Sequence, residues 1–263
     1  MARKARVKAK SGMYHVLLQG VRNRKLFIDD EDARQFVDIM LRTKEDEAKG
    51  EENMAVKRYA VYAYCLAPSY VHLIIKEEED NISVSAGRVM AAYAHYLNNK
   101  YDRDGAVYRG RFFSEPVEDE VRFDVVLRYI TQTPLREKMV ERLDDYLYSS
   151  WHEYVGVESD LPKVCDIKEG YGQMDKEAIR QLLTAALPKD VKCLAPKYVQ
   201  HRPSDKKVMA DIMRLTGAMN AAEYLMLTSN VAYKTITELR KTGASIRQLE
   251  RLTGIGRGII QHL

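Results

Sequence analysis

The sequence predicts an α+β fold: an antiparallel sheet with helices on one face, followed by an all-α unit. Three observations carry this. Short runs rich in β-formers alternate with helical patterns between residues 14 and 154. Beyond residue 176 the apolar spacing is helical throughout. The charge also changes sign along the chain. Residues 176–263 hold 15 Lys/Arg against 7 Asp/Glu, whereas residues 1–175 hold 27 against 31.

The elements follow in order. Tyr14–Gln19 (YHVLLQ) reads as a strand ended by Gly20. Asp29–Asp32 opens a helix whose Phe36, Ile39 and Met40 share one face. The polar stretch Lys44–Glu52 is its end and a loop. Val56–Leu66 and Val71–Lys76 read as two strands around the turn Ala67–Pro68–Ser69. Val84–Tyr101 is a second helix, with Val89, Ala92, Tyr93 and Tyr96 at helical spacing. The loop Asp102–Gly110 leads to a fourth strand, Arg111–Val117, and Phe123–Thr133 forms a third helix stopped by Pro134. This βαββαβ order with a trailing helix is that of a ferredoxin-like sandwich. Pro162, Gly170 and Gly172 break all periodicity. A domain of residues 1–156 with a basic N-terminal arm is therefore expected, then a linker at 157–175 and a helical domain at 176–263.

Composition narrows the class. The chain has 263 residues, 46% hydrophobic and 30% charged, enough apolar mass for a real core. No run of about 18 apolar residues occurs, and the basic start MARKARVKAK lacks the apolar stretch of a secretory signal. Cys65, Cys165 and Cys193 are odd in number and far apart, which points to reduced thiols in a cytoplasmic protein rather than a disulfide frame or zinc site. Arg3, Lys4, Arg6, Lys8 and Lys10 form a basic arm. Together with the basic tail, this arm is a typical footprint for a phosphate backbone.

The tail carries a helix-turn-helix pattern at about 245–263. Ser245 is the expected N-cap of a helix with Ile246, Leu249 and Leu252 on its apolar stripe. Thr253–Gly254–Ile255 is the turn, and 256–263 the second helix, with Ile259 and Ile260 inward and Arg257 and Gln261 outward. Arg257 and Gln261 would read base edges of a duplex, while Arg247, Arg251 and Lys241 would sit near phosphates. The plainer alternative is a helical hairpin that closes the tail domain.

The chemistry centres on one strand and one helix. Strand alternation puts Tyr70 and His72 on one face, and Val71, Leu73 and Ile75 on the other, toward the core. Tyr129 precedes Gln132 and Thr133 by three and four residues, which stacks the three on one side of a helix. A polar strand face and a polar helix face would thus meet. His15 is expected at the strand surface and His152 at a helix end.

The order of motifs resembles that of the REP-associated tyrosine transposases, HUH single-tyrosine enzymes of the IS200-like group. Tyr14–His15–Val16 and Gly20–Val21–Arg22–Asn23–Arg24 resemble that family's YHV…RGNNR segment. Residues 64–74 (YCLAPSYVHLI) resemble AYCLMPNHVHLLI, and residues 108–112 (YRGRF) resemble FQGRF. Arg128–Tyr129–Ile130 with Pro134–Leu135–Arg136 resembles RYIHLNPVRA, and Ser149–Ser150–Trp151 with Tyr154 resembles the closing WSSYRAY. The resemblance implies cleavage and rejoining of single-stranded, hairpin-forming DNA through a 5′-phosphotyrosine. It makes Tyr129 the nucleophile and His72 a ligand of Mg²⁺ or Mn²⁺, with Gln132 a candidate third ligand or phosphate contact. Arg22, Arg24, Arg109 and Arg111 would contact phosphates. The sequence departs from the family where the first histidine of the pair is Tyr70 and the family asparagine is Thr133. Three readings follow. The site works with His72, Gln132 and water; it has lost its chemistry and kept DNA binding as a regulator would; or Tyr70 itself takes part. An RNA-binding role for the sheet lacks the expected aromatic and glycine pattern.

Overall fold

The computed structural model describes residues 6–45, 56–188, 190, 192–196 and 203–263. Arg3 and Lys4 of the basic arm, and most of the polar stretch after the first helix, lie outside them. The chain divides into two compact units, Met1–Lys197 and Tyr198–Leu263.

In the first unit the elements are β1 (Met13–Gln19), α1 (Asp30–Lys44), β2 (Tyr59–Ala67), β3 (Tyr70–Glu77), α2 (Ile82–Lys100), β4 (Phe113–Pro116) and α3 (Glu120–Thr131). After them come α4 (Thr133–Arg136), α5 (Trp151–Val155), α6 (Glu169–Gly172) and α7 (Lys176–Thr184). The sheet is antiparallel in the order β2-β3-β1-β4, the ferredoxin-like arrangement. Capping fixes the helix starts. Asp29 and Asp32 form a reciprocal capping box at α1, and the Asn81 side chain accepts from Ser83 and Val84 N–H at α2. Pro134 lacks an N–H, so it separates α3 from α4 and sits where its ring is tolerated, in the first turn.

Helices cover both faces of the sheet, not one. α1 and α2 bury Phe36, Val37, Met40, Val89 and Tyr93 against Val16, Leu18, Val71, Leu73 and Ile75. On the opposite face Phe123, Val126, Leu127 and Ile130 of α3 pack on Ala63, Cys65 and Ile74. Trp151 and Tyr154 of α5, and Ile179 and Leu183 of α7, extend that second core. The expected linker at 157–175 and the start of the helical domain therefore belong to the first unit. The physical reason is that α7 presents two apolar side chains, which only the second face of the sheet receives. A register shift between Val61 and Ala63 changes which β2 side chains face the first core, from Tyr59 and Val61 to Tyr64 and Leu66.

The second unit holds α8 (Asp205–Thr216), α9 (Ala221–Leu225), α10 (Ser229–Lys241), α11 (Ile246–Thr253) and α12 (Arg257–His262). Val208, Ile212, Tyr224, Ile236, Leu239, Leu249 and Ile260 form its core. Ser245 caps α11 through Gln248 N–H, and Gly254 ends it with φ of 75°. Ile259 is exposed, against expectation, because only Ile260 of the pair faces the core. No helix among the described residues is long and apolar enough to cross a membrane.

Candidate functional site

β1 and β3 place Leu17 opposite His72, so His15 and His72 meet diagonally on the face that α3 covers. Both histidines are fully buried, and His15 Nε2 lies 3.0 Å from His72 Nδ1. His15 is therefore a partner of His72, not a surface residue. The sequence signal was slight: on the face of His15 and Gln19 only Leu17 marks a strand covered on both sides. His152 is buried too, and its Nε2 lies 3.0 Å from the Tyr146 carbonyl.

The Tyr129 ring packs edge-on against His72 at 5.5 Å between centroids and against His15 at 6.0 Å. Tyr70 lies beside His72 at 5.2 Å, so all four rings cluster. Arg136 caps the group, its guanidinium 3.6 Å from the centre of the Tyr129 ring. Burial, with the positive charge of Arg136 added, lowers His72 to about 3. Burial, His72 itself and the charges of Arg122 and Arg136 lower His15 in the same way. Both imidazoles are thus neutral at pH 7. If His72 Nδ1–H donates to His15 Nε2, His72 Nε2 is left as a buried bare acceptor, and no hydrogen bond among the described residues satisfies it. Burial raises Tyr129 above its ordinary value, and Arg136 draws it back.

The chain after α7 lies along the same helix. Gln132 Nε2 donates to the Leu183 and Ala185 carbonyls at 2.7 and 2.8 Å, Arg128 to that of Ala186 at 3.3 Å, and Arg122 to that of Lys192 at 2.9 Å. Leu194 packs against the cluster of Leu17, Ala67 and Tyr70. Gln132 is the C-cap of α3, and its Nε2 is turned to the carbonyls at the end of α7.

These residues do not fit the divalent ion that the resemblance implies. His72 Nε2 is a suitable donor. Tyr70 stands where a second imidazole belongs, and a protonated phenol is a poor ligand at neutral pH. The Thr133 hydroxyl donates to the Tyr129 carbonyl at 2.9 Å and accepts from Arg136 Nη2 at 2.8 Å. The Gln132 Nε2 is tied to two carbonyls, which fixes the amide toward the end of α7. No group of three His, Cys, Asp or Glu side chains among the described residues is arranged to hold a metal.

Four arginines gather at the same end of the sheet as Tyr70. The loop after β1 runs beside the loop before β4: Val21 N–H donates to Val107 O at 2.9 Å, and Arg109 N–H to Gln19 O at 2.7 Å. This brings Arg22 and Arg24 alongside Arg109 and Arg111. Arg22, Arg24 and Arg111 are exposed and Arg109 half-buried. Arg22 adopts φ of 50° in a tight turn. Gly20 admits no side chain there, because a Cβ would lie 2.3 Å from the Arg24 carbonyl oxygen. In the second unit Arg247, Arg251, Arg257 and Gln261 are all exposed. Arg251 pairs with Asp205 at 2.6 Å, and Arg257 pairs with Glu250.

The first unit is thus a ferredoxin-like sheet with a tyrosine on the covering helix packed against a strand histidine. Residues 8–133 match the model of the IS200-like transposase family. A Haemophilus influenzae protein described as a REP-associated tyrosine transposase is 24% identical over 111 residues, 38% of this chain. The match spans 63% of that relative's own length. A solved structure of a REP-associated tyrosine transposase bound to a REP hairpin superposes with a TM-score of 0.47 at 15% identity. It covers 64% of this chain and 98% of that one.

Proposed function

We propose that this protein binds hairpin-forming single-stranded DNA and cleaves and rejoins it through a phosphotyrosine on Tyr129. The observation that carries the reading is the packing of Tyr129 against His72, which sets a nucleophile beside a buried neutral imidazole. Tyr129 is the one tyrosine of the ring cluster that sits on the helix and is half exposed. A phenol so placed attacks a phosphodiester once its proton is removed. Arg22, Arg24, Arg109 and Arg111 hold the strand by its phosphates at the adjoining end of the sheet. The second unit, with five more basic than acidic residues in 198–263, adds duplex affinity through α11 and α12. The test is covalent capture. Single-stranded hairpin DNA incubated with the protein yields an adduct that survives denaturation and is lost in Tyr129→Phe. An adduct that persists in that variant, or maps to Tyr70, sinks the assignment.

A second reading, DNA binding without cleavage, is favoured by Tyr70 standing in place of the family's first histidine and Thr133 in place of its asparagine. It predicts full hairpin affinity with no adduct under any condition.

A further inference from the structure

The site around Tyr129 carries a cation of its own. Arg136 is exposed, and its guanidinium stands over the Tyr129 ring at 3.6 Å, steadied by the 2.8 Å bond from Nη2 to Thr133 Oγ1. Among the described residues Arg136 pairs with no carboxylate. Arg122, the other guanidinium whose charge reaches the histidines, is held by Glu115 at 3.2 Å and by the Lys192 carbonyl. Arg136 is thus the one with N–H groups left for a ligand.

We propose that Arg136, in place of a divalent ion, supplies the positive charge to the phosphate that Tyr129 attacks. The inference rests on the reading of Tyr129 given above. A guanidinium presents parallel N–H donors that match two phosphate oxygens, and its charge does not depend on pH in the working range. In the transfer, Tyr129 Oη bonds to phosphorus as the P–O3′ bond breaks. The phenol gives up one proton and the departing 3′ oxygen takes up one, so no acid or base is consumed overall. Negative charge grows on the non-bridging oxygens between these events, and a fixed cation stabilises that state most. Thr133 orients the guanidinium, which accounts for a hydroxyl where the family carries an amide. A dication entering here would meet two arginines, one imidazole nitrogen and the engaged Thr133 hydroxyl.

Three measurements on the full chain test this. Adduct formation on single-stranded hairpin DNA is expected to proceed at an unchanged rate in EDTA, to fall about 100-fold or more in Arg136→Ala, and to recover in part in Arg136→Lys. An adduct that forms only with Mn²⁺ overturns the proposal. Mn²⁺ titration followed by electron paramagnetic resonance is expected to leave the ion's free signal intact. Uptake of one Mn²⁺ that His72→Ala abolishes overturns it. Hairpin affinity by fluorescence anisotropy in EDTA is expected to weaken in Arg136→Ala, with the log–log salt slope reduced by about one. If no adduct forms under any condition, the strand-transfer reading fails. The anisotropy comparison then decides Arg136 alone, and unchanged affinity and slope overturn its phosphate role.

Discussion

Burying two imidazoles side by side ties the stability of the first unit to pH. The groups that face the pair are Tyr70, Tyr129, Arg122 and Arg136, so cations oppose protonation and no carboxylate rewards it. The folded pKa of each histidine lies below its unfolded value of about 6.5. The unfolded chain therefore binds more protons below that pH. The stabilisation is complete above about pH 6.5 and is lost as the pH falls toward about 3, the folded value of His72. In that window His72 makes unfolding easier by about 1.4 kcal/mol per pH unit, and His15 acts in the same direction. Urea unfolding at pH 7, 6 and 5 checks this. His72→Gln is expected to flatten the dependence by roughly one histidine's share, and an unaltered slope would show that the pair does not govern it. Tyr129 gives the opposite trend in rate. Burial raises it and Arg136 counteracts the rise, so adduct formation is expected to accelerate with pH across the neutral and alkaline range. In Arg136→Ala the profile is expected to move to higher pH, which a purely structural role for Arg136 would not produce. At this scale the sequence was partly legible. Strand alternation put Tyr70 and His72 on one face, and motif order picked out Tyr129. His15 and Arg136 were not assigned roles at the site, because a diagonal pairing across strands and a side chain folding back over a ring depend on register and rotamer.

Among elements, α11 and α12 were legible nearly residue by residue, since caps and turns are local. Ser245 and Gly254 fall where the cap and the turn were expected, Gly254 ending α11 in the left-handed region. The inward face of α12 was harder, because a helix of six residues shows too little periodicity to choose between Ile259 and Ile260. Gly254 is the joint on which α12 depends. Its φ is 75°, and a Cβ would come within 3.0 Å of Leu225 Cδ1. Gly254→Ala is expected to cost the second unit about 1–2 kcal/mol, as the left-handed backbone penalty alone dictates, while the Leu225 tip gives way. A thermal melt of the second unit's transition measures it. The consequence for binding separates positions within these helices. Arg257→Ala is expected to relax base preference in duplex DNA, and Arg247→Ala to weaken all sequences alike. Equal losses on every sequence for both would remove α12 from base reading.

Across the whole molecule, the boundary between units is where sequence and structure part most. Composition placed the break at 157–175, where glycine and proline interrupt every pattern. The contacts place it after Lys197. Loss of periodicity marks an irregular path, and an irregular path can still be packed. Val164 is buried, Cys165 N–H and Val164 N–H donate to Glu153, and Asp166 pairs with Lys44 and Lys57 at 2.8 Å. α7 then fills the second core with Ile179 and Leu183, both almost fully buried. Its amphipathic pattern was readable, but nothing local says which unit receives the apolar face. Two truncations decide between the boundaries. A chain ending at residue 197 keeps every side chain named in the three clusters of the first unit. It is expected to fold cooperatively, to bind the hairpin and to lose duplex affinity. A chain ending at residue 175 loses Ile179 and Leu183 from the core, and Gln132 loses both of its carbonyl acceptors. Removing two buried aliphatic side chains costs about 4 kcal/mol or more, a large share of a typical domain's stability. The shorter chain is therefore expected to unfold at a much lower urea concentration. Equal midpoints for the two truncations would return α7 to the helical domain.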